Sequence, residues 1–218
     1  MKLSLSTKKS LLLTILFQLT LLLIYGQDIP TPEGYQIVDE KEGDLTMDGI
    51  PEKVIVFNTN DSTDVGTIRE IQVYKKTGNK WELLASSKNA IGKSKDGGMD
   101  GDPFESIEIT GGILIINQSG GSSWKWFKTD KYKFQDGKLL LIGFTNNYGK
   151  PGEYFENIDF NLVTGKIIYA KEYEDEAQTI YKKENETFYK KGLKIDLTNR
   201  TSKEIKIVTP KYKNEIYL

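Results

Sequence analysis

The most specific chemical pattern in the chain is Gly43-Asp44-Leu45-Thr46-Met47-Asp48-Gly49-Ile50-Pro51-Glu52. Asp44, Thr46 and Asp48 occupy alternate positions, Gly49 permits a sharp turn, and Glu52 adds a carboxylate four residues after Asp48. A hard cation such as Ca2+ takes six to eight oxygens at about 2.3–2.6 Å, and a tight loop with acids at this spacing can supply several of them. Calcium is therefore the expected cofactor, with Asp44, Thr46, Asp48 and Glu52 as its ligands. Without an ion, Asp44, Asp48 and Gly49 make an Asx-type turn that closes a hairpin. Either way the loop leads into the apolar run Val54-Ile55-Val56-Phe57.

A second acidic stretch, Asp96-Gly97-Gly98-Met99-Asp100-Gly101-Asp102-Pro103-Phe104-Glu105, spaces its acids more widely and reads as a flexible turn. In Gly120-Gly121-Ser122-Ser123-Trp124-Lys125-Trp126 the two indoles lie two residues apart, so a strand would point both to one side. Trp124 and Trp126 then form either part of a core face or a surface for a glycan or protein ligand, because aromatic platforms stack on sugar rings and anchor peptides. No Gly-Lys-Ser/Thr follows these glycines at P-loop spacing, so phosphate binding has little support. Carboxylate pairs such as Glu105/Glu108 and Glu153/Glu156 allow acid and base catalysis by residue type, although among 31 acids such pairs arise on any solvated face.

The first loop resembles the calcium loops of secreted FG-GAP and VCBS-type repeat proteins, in which Asp-x-Asn-x-Asp-Gly-x-x-Asp leads into a hydrophobic strand. Asp44, Asp48, Gly49 and Glu52 carry the match; Thr46 stands where Asn or Asp is usual, and Glu52 replaces the final Asp. The resemblance implies a calcium-stabilised β unit. One copy in 192 mature residues argues against a complete propeller. Taken together, residues 97–104 and 120–126 resemble a group of uncharacterised secreted bacterial β-proteins, which implies one co-operating region and no particular reaction.

The elements that must position these residues are legible as strands. Thr77-Gly78-Asn79-Lys80, Thr110-Gly111-Gly112, Gln135-Asp136-Gly137-Lys138 and Val163-Thr164-Gly165-Lys166 separate runs rich in Ile, Val, Leu, Tyr and Phe, predicting four hairpins. Residues 54–57, 113–116 and 139–142 are apolar at every position, as central strands covered on both faces should be. Residues 193–197 alternate like a strand with one wet face, and the Lys-rich end of the chain reads as a late edge strand. Residues 173–186 stay open between helix and strand, because the acids that suit a helix start precede Thr179, Ile180 and Tyr181. The expected fold is all-β, mainly antiparallel hairpins forming packed or curled sheets, as a sandwich or a propeller fragment.

Lys2, Lys8 and Lys9 precede a 15-residue apolar run at 11–25 with Gly26 behind it, the pattern of a secretory signal peptide. The run is shorter than the roughly 20 residues a spanning helix needs. The chain thus divides into a signal peptide at 1–26, a flexible lead-in at 27–34 and one all-β domain at 35–218. Export predicts a secreted or periplasmic protein with no membrane span after cleavage. With no Cys and no His there is no disulfide, thiolate metal site, cysteine nucleophile or imidazole base. Thirty basic against 31 acidic residues give no electrostatic case for nucleic acid as partner. The expected function is an exported, non-catalytic binding or envelope-associated module with a structural calcium loop. The rival expectations are a secreted carbohydrate-active enzyme using paired carboxylates and a protein-binding inhibitor or immunity factor.

Overall fold

Turn chemistry sets the topology of the computed structural model, which describes residues 28–201 and 205–218. The signal-peptide expectation for residues 1–26 lies outside the described residues. The chain reverses at all four predicted hairpins: between β3 (Gly66–Thr77) and β4 (Lys80–Ser87), β5 (Phe104–Thr110) and β6 (Ile113–Gly121), β7 (Lys125–Gln135) and β8 (Lys138–Lys150), and β9 (Tyr154–Asn161) and β10 (Lys166–Glu174). Asp136 and Gly137 show the cause, since both take positive φ (51° and 77°), the backbone that matches a two-residue turn to the twist of its strands.

Three antiparallel sheets result. β1 (Gln36–Gly43) and β2 (Glu52–Thr63) join β3 and β4 in a four-stranded meander, while β5 through β10 and β11 (Ile180–Tyr189) form a seven-stranded one. β12 (Lys206–Val208) and β13 (Glu215–Tyr217) make a small hairpin. The fold is all-β as expected, with sheets not closed into a barrel. A 3-10 turn at Leu197–Asn199 accompanies the strands. Among the described residues no helix is long and apolar enough to cross a membrane.

One buried cluster joins the sheets. Val54 and Val56 of β2 and Ile71 and Val73 of β3 share it with Ile107, Leu114, Ile116, Tyr132, Phe144, Phe160 and Ile167 of the larger sheet. Each such side chain contributes about 1.5–3 kcal/mol of transfer free energy, most of it offset by lost chain entropy. The sheets approach most closely where β1 meets β5: a Cβ on Gly43 would lie 2.5 Å from Cγ2 of Ile109, so no other residue fits there without displacement. Ile55 and Phe57, on the opposite face of β2, are also buried, with Phe57 5.8 Å from the Tyr35 ring, consistent with a strand covered on both sides.

Three segments differ from a simple strand reading for identifiable reasons. Residues 173–186 resolve as the end of β10, a turn and the start of β11. The acids there build the turn instead of a helix start, because Asp175 Oδ1 accepts from the amides of Ala177 (3.0 Å) and Thr179 (2.8 Å). Residues 193–197 make only a bridge, Leu141 N donating to Ile195 O at 2.9 Å. Asp196 then caps the 3-10 turn through the amides of Thr198 and Asn199, both at 3.0 Å, which diverts the strand. The Lys-rich end is a hairpin instead of a single edge strand, burying Ile207, Ile216 and Leu218 while its lysines face water.

Candidate functional site

Strand register explains where the molecule has an open face. On one side of the seven-stranded sheet the row Asp130, Phe144, Phe160 and Ile167 is buried. The next row, Lys128, Asn146, Ile158 and Tyr169, mixes polar and apolar groups. The one after it reads Trp126, Tyr148, Glu156, Lys171 and Glu184. A single face thus passes from core to an aromatic and charged surface within two steps of period two. Above these rows lies a cavity of about 800 Å³ whose walls include Gln118, Trp126, Asn146, Tyr148, Tyr154, Glu156 and Lys171.

Both tryptophans singled out by sequence belong to this region. Trp126 lines the cavity together with Asp96 and Pro103, and Trp124, one residue before β7, stacks on Tyr148 with centroids 5.2 Å apart and planes at 11°. Trp126 can sit so close to the sheet because its cross-strand partner is Gly120. A Cβ there would meet the indole Cζ2 and Gly97 Cα, each at 2.8 Å. Residues 97–104 and 120–126 do form one region: Gly121 N donates to Gly97 O at 2.8 Å, and Gly98 bridges Gly121.

The 96–105 segment is pinned on several sides, unlike the flexible turn expected of it. Lys125 Nζ lies 2.6 Å from Asp100 Oδ1, and the buried Arg69 of β3 grips both oxygens of Asp102 while also donating to Asn58 Oδ1 at 3.2 Å. Burial works against ionising Asp102, but Arg69 and the Phe104 amide outweigh it and hold the carboxyl below its usual range.

Glu156 is the carboxylate set deepest in the cavity wall. It accepts from the Tyr169 hydroxyl at 2.8 Å and lies 3.8 Å from Lys171 Nζ, whose ammonium also sits 3.6 Å from the Tyr154 centroid. Burial pushes its pKa above the ordinary carboxylate range despite the Tyr169 hydrogen bond and the Lys171 charge. The folded state therefore holds this proton more tightly than the unfolded chain. Its contribution to stability is greatest below the unfolded pKa and declines as pH rises through the folded one. Glu156→Gln keeps an acceptor for Tyr169 and removes that decline. Thermal melts from pH 4 to 8 should show the variant melting a few degrees higher near pH 7 and level with the parent near pH 4. A variant less stable than the parent at pH 7 would mean that the Lys171 pairing dominates.

The acidic loop is held by hydrogen bonds to its own carboxylates. Glu52 is buried and accepts from Leu45 N (2.7 Å), Thr46 N (3.0 Å) and Thr46 Oγ1 (3.1 Å). Asp44 accepts from the amides of Asp48 (3.1 Å) and Gly49 (2.8 Å), and Asp48 Oδ1 accepts from Ile50 N (2.8 Å). Glu52 is buried and Asp48 is exposed, with Asp44 and Thr46 between these extremes. Among the described residues no three acidic side chains form a cation-holding group.

No family model, curated protein or solved structure matches the chain. Sequence reasoning missed Tyr148, Tyr154, Lys171 and Arg200, which all line the cavity. The signal for the first three was alternation within β8, β9 and β10, which places Tyr148, Glu156 and Lys171 in one cross-strand row, with Tyr154 in the row beside it. Arg200 follows an irregular segment and left no pattern.

Proposed function

We propose that the protein is an exported, non-catalytic binding module whose ligand, a glycan, is held on the open half of the seven-stranded sheet. The observation that carries the reading is the cavity in which Trp126, Tyr148 and Tyr154 stand among Gln118, Asn146, Glu156 and Lys171. Flat aromatic faces suit the C–H faces of sugar rings, and amides and ionised groups at fixed positions suit hydroxyls. A structural calcium ion at the acidic loop belongs to the same proposal, supported by the spacing of Asp44, Thr46, Asp48 and Glu52 and by the solvent-facing position of Asp48. When bound, the ion would brace the approach to β2.

One observation favours the enzymatic alternative: Glu156 is a carboxyl of raised pKa beside aromatic rings, as a general acid would be. Its nearest same-face carboxylate partner, Glu184, lies two strands away across Lys171 and is engaged by Lys182 (2.6 Å) and Asn214 (2.8 Å). That engagement favours binding over turnover. Titration with a panel of di- and trisaccharides, followed by tryptophan fluorescence, should reveal a binder that Trp126→Ala weakens at least tenfold, the ~1.4 kcal/mol a central stacking ring contributes. Release of reducing ends that Glu156→Gln abolishes would establish the enzyme instead, and a panel without a binder would overturn the glycan reading.

A further inference from the structure

We infer that the ligand of this face is a neutral, extended oligosaccharide whose successive rings cross strands β8 to β11 along the aromatic row Trp124, Tyr148, Tyr154, Tyr173 and Tyr181. The inference rests on the glycan reading above and adds the ligand's charge, shape and direction.

The row has the geometry of a track. From the stacked pair Trp124 and Tyr148, the next centroid, that of Tyr154, lies 4.8 Å from Trp124. Tyr173 follows at 6.0 Å and Tyr181 at 6.3 Å. Tyr154 and Tyr173 are direct cross-strand partners. Neighbouring strands lie about 4.8 Å apart, so the steps from Tyr154 to Tyr173 and on to Tyr181 run across the strands, one ring per strand, while Trp124, Tyr148 and Tyr154 cluster at the cavity end. Strict alternation would leave Tyr181 on the other face, because Lys182 is the residue opposite Tyr173. A register shift between Tyr173 and Glu174 brings its ring onto the row instead. At one end Tyr148 and Tyr154 line the cavity, and at the other Tyr181 is 67% exposed, so a chain seated in the cavity has an open way out.

Charge selects the class of chain. Lys150 pairs with Glu153 at 3.3 Å, Lys171 with Glu156 at 3.8 Å and Lys182 with Glu184 at 2.6 Å. Each cation beside the row is balanced by its own carboxylate, and a polyanion laid along it would meet those carboxylates. A hydroxyl-rich neutral chain instead finds ammonium donors and carboxylate acceptors among the rings it packs against. The lysines stay close to the aromatic faces, with Lys171 Nζ 5.2 Å and Lys182 Nζ 4.5 Å from the Tyr173 centroid, which holds those donors at fixed positions along the track.

Calorimetric titration of the protein with neutral β-1,4-linked chains of glucose, N-acetylglucosamine or xylose, two to six units long, tests the inference against oligogalacturonates of equal length. For the chain type that binds, Kd should fall roughly three- to tenfold per added unit up to four or five units and then level, the gain expected of one stacked ring per step. Tyr173→Ala and Tyr181→Ala should erase the gain beyond the third unit, and Tyr181→Ala, at the end away from the cavity, should weaken the longer chains far more than the disaccharide. The matched oligogalacturonate should bind at least tenfold more weakly. An affinity that does not grow with chain length, or a length-dependent gain that survives both tyrosine variants, overturns the track while leaving the cavity as a glycan site. Tighter binding of the oligogalacturonate overturns the assignment of a neutral chain. No binding by any neutral chain overturns both the track and the reading beneath it.

Discussion

Asp130→Asn should lower stability by about 3–5 kcal/mol, the usual cost of leaving one partner of a buried ion pair uncompensated. For a domain of this size that is a fall in melting temperature of roughly 6–20 °C. Asp130 and Arg200 are 1% and 2% exposed. The guanidinium donates through Nε to Oδ2 at 2.8 Å and through Nη2 to Oδ1 at 3.3 Å, while Tyr132 adds its hydroxyl to Oδ2 at 3.2 Å. The Asn variant keeps the shape and some acceptors but strands a positive charge beside Phe144, whose centroid lies 5.6 Å from the guanidinium carbon. Burial alone would favour the neutral form of Arg200, and the Asp130 charge overcomes it, so its pKa stands above the ordinary arginine value. The double variant Asp130→Leu with Arg200→Met removes both charges and should recover most of the loss in chemical denaturation. A single-variant cost under about 1 kcal/mol would show the pair to be hydrated and interchangeable with surface pairs.

This ion pair also ties stability to the proposed ligand face. Arg200 belongs to the segment after the 3-10 turn, yet it forms part of the cavity wall while gripping a residue of β7. Loosening that segment should therefore weaken ligand binding even in variants that remain folded, because the wall shifts while the aromatic residues stay in place.

What the sequence makes readable is what short-range physics decides. The dipeptides Gly78-Asn79, Gly111-Gly112 and Asp136-Gly137 specify reversals by backbone conformation alone, so the hairpins and their antiparallel order follow from residues two or three apart. Trp124 and Trp126 were legible as a pair for the same reason. The rest depends on contacts distant in sequence. Arg69 meets Asp102 across 33 positions and Arg200 meets Asp130 across 70, and nothing local distinguishes those arginines from surface ones. Residues 193–197 show local signals in competition: the alternation of Leu193, Ile195 and Leu197 suits a strand, but Asp196 and Asn199 satisfy each other as a cap and divert it. The aromatic row was hidden by its direction, since it runs across strands and its members lie far apart in the chain.

Glu52→Ala should cost about 3 kcal/mol, or roughly 6–12 °C of melting temperature, already in calcium-free buffer. Its carboxylate receives two amides and a hydroxyl, and Leu45, whose amide makes the shortest of these bonds at 2.7 Å, is itself buried in the core. Removing the acceptor strands that amide away from water. Glu52→Gln keeps an oxygen for the amides of Leu45 and Thr46 and should lose less than half as much. Asp48 separates the two roles of the loop, because its exposed carboxylate accepts from the nearby Ile50 amide and not from the core. If the loop takes calcium with a Kd of about 10⁻⁴ M, 10 mM calcium stabilises the parent by about 2.7 kcal/mol, and Asp48→Asn should erase that rise. Identical parent melts in chelator and in 10 mM calcium would remove the ion from the proposal while leaving Glu52 as the anchor of the turn. A Glu52→Ala variant that melts like the parent would remove the anchor as well, since three hydrogen bonds to a buried carboxylate cannot be lost without consequence.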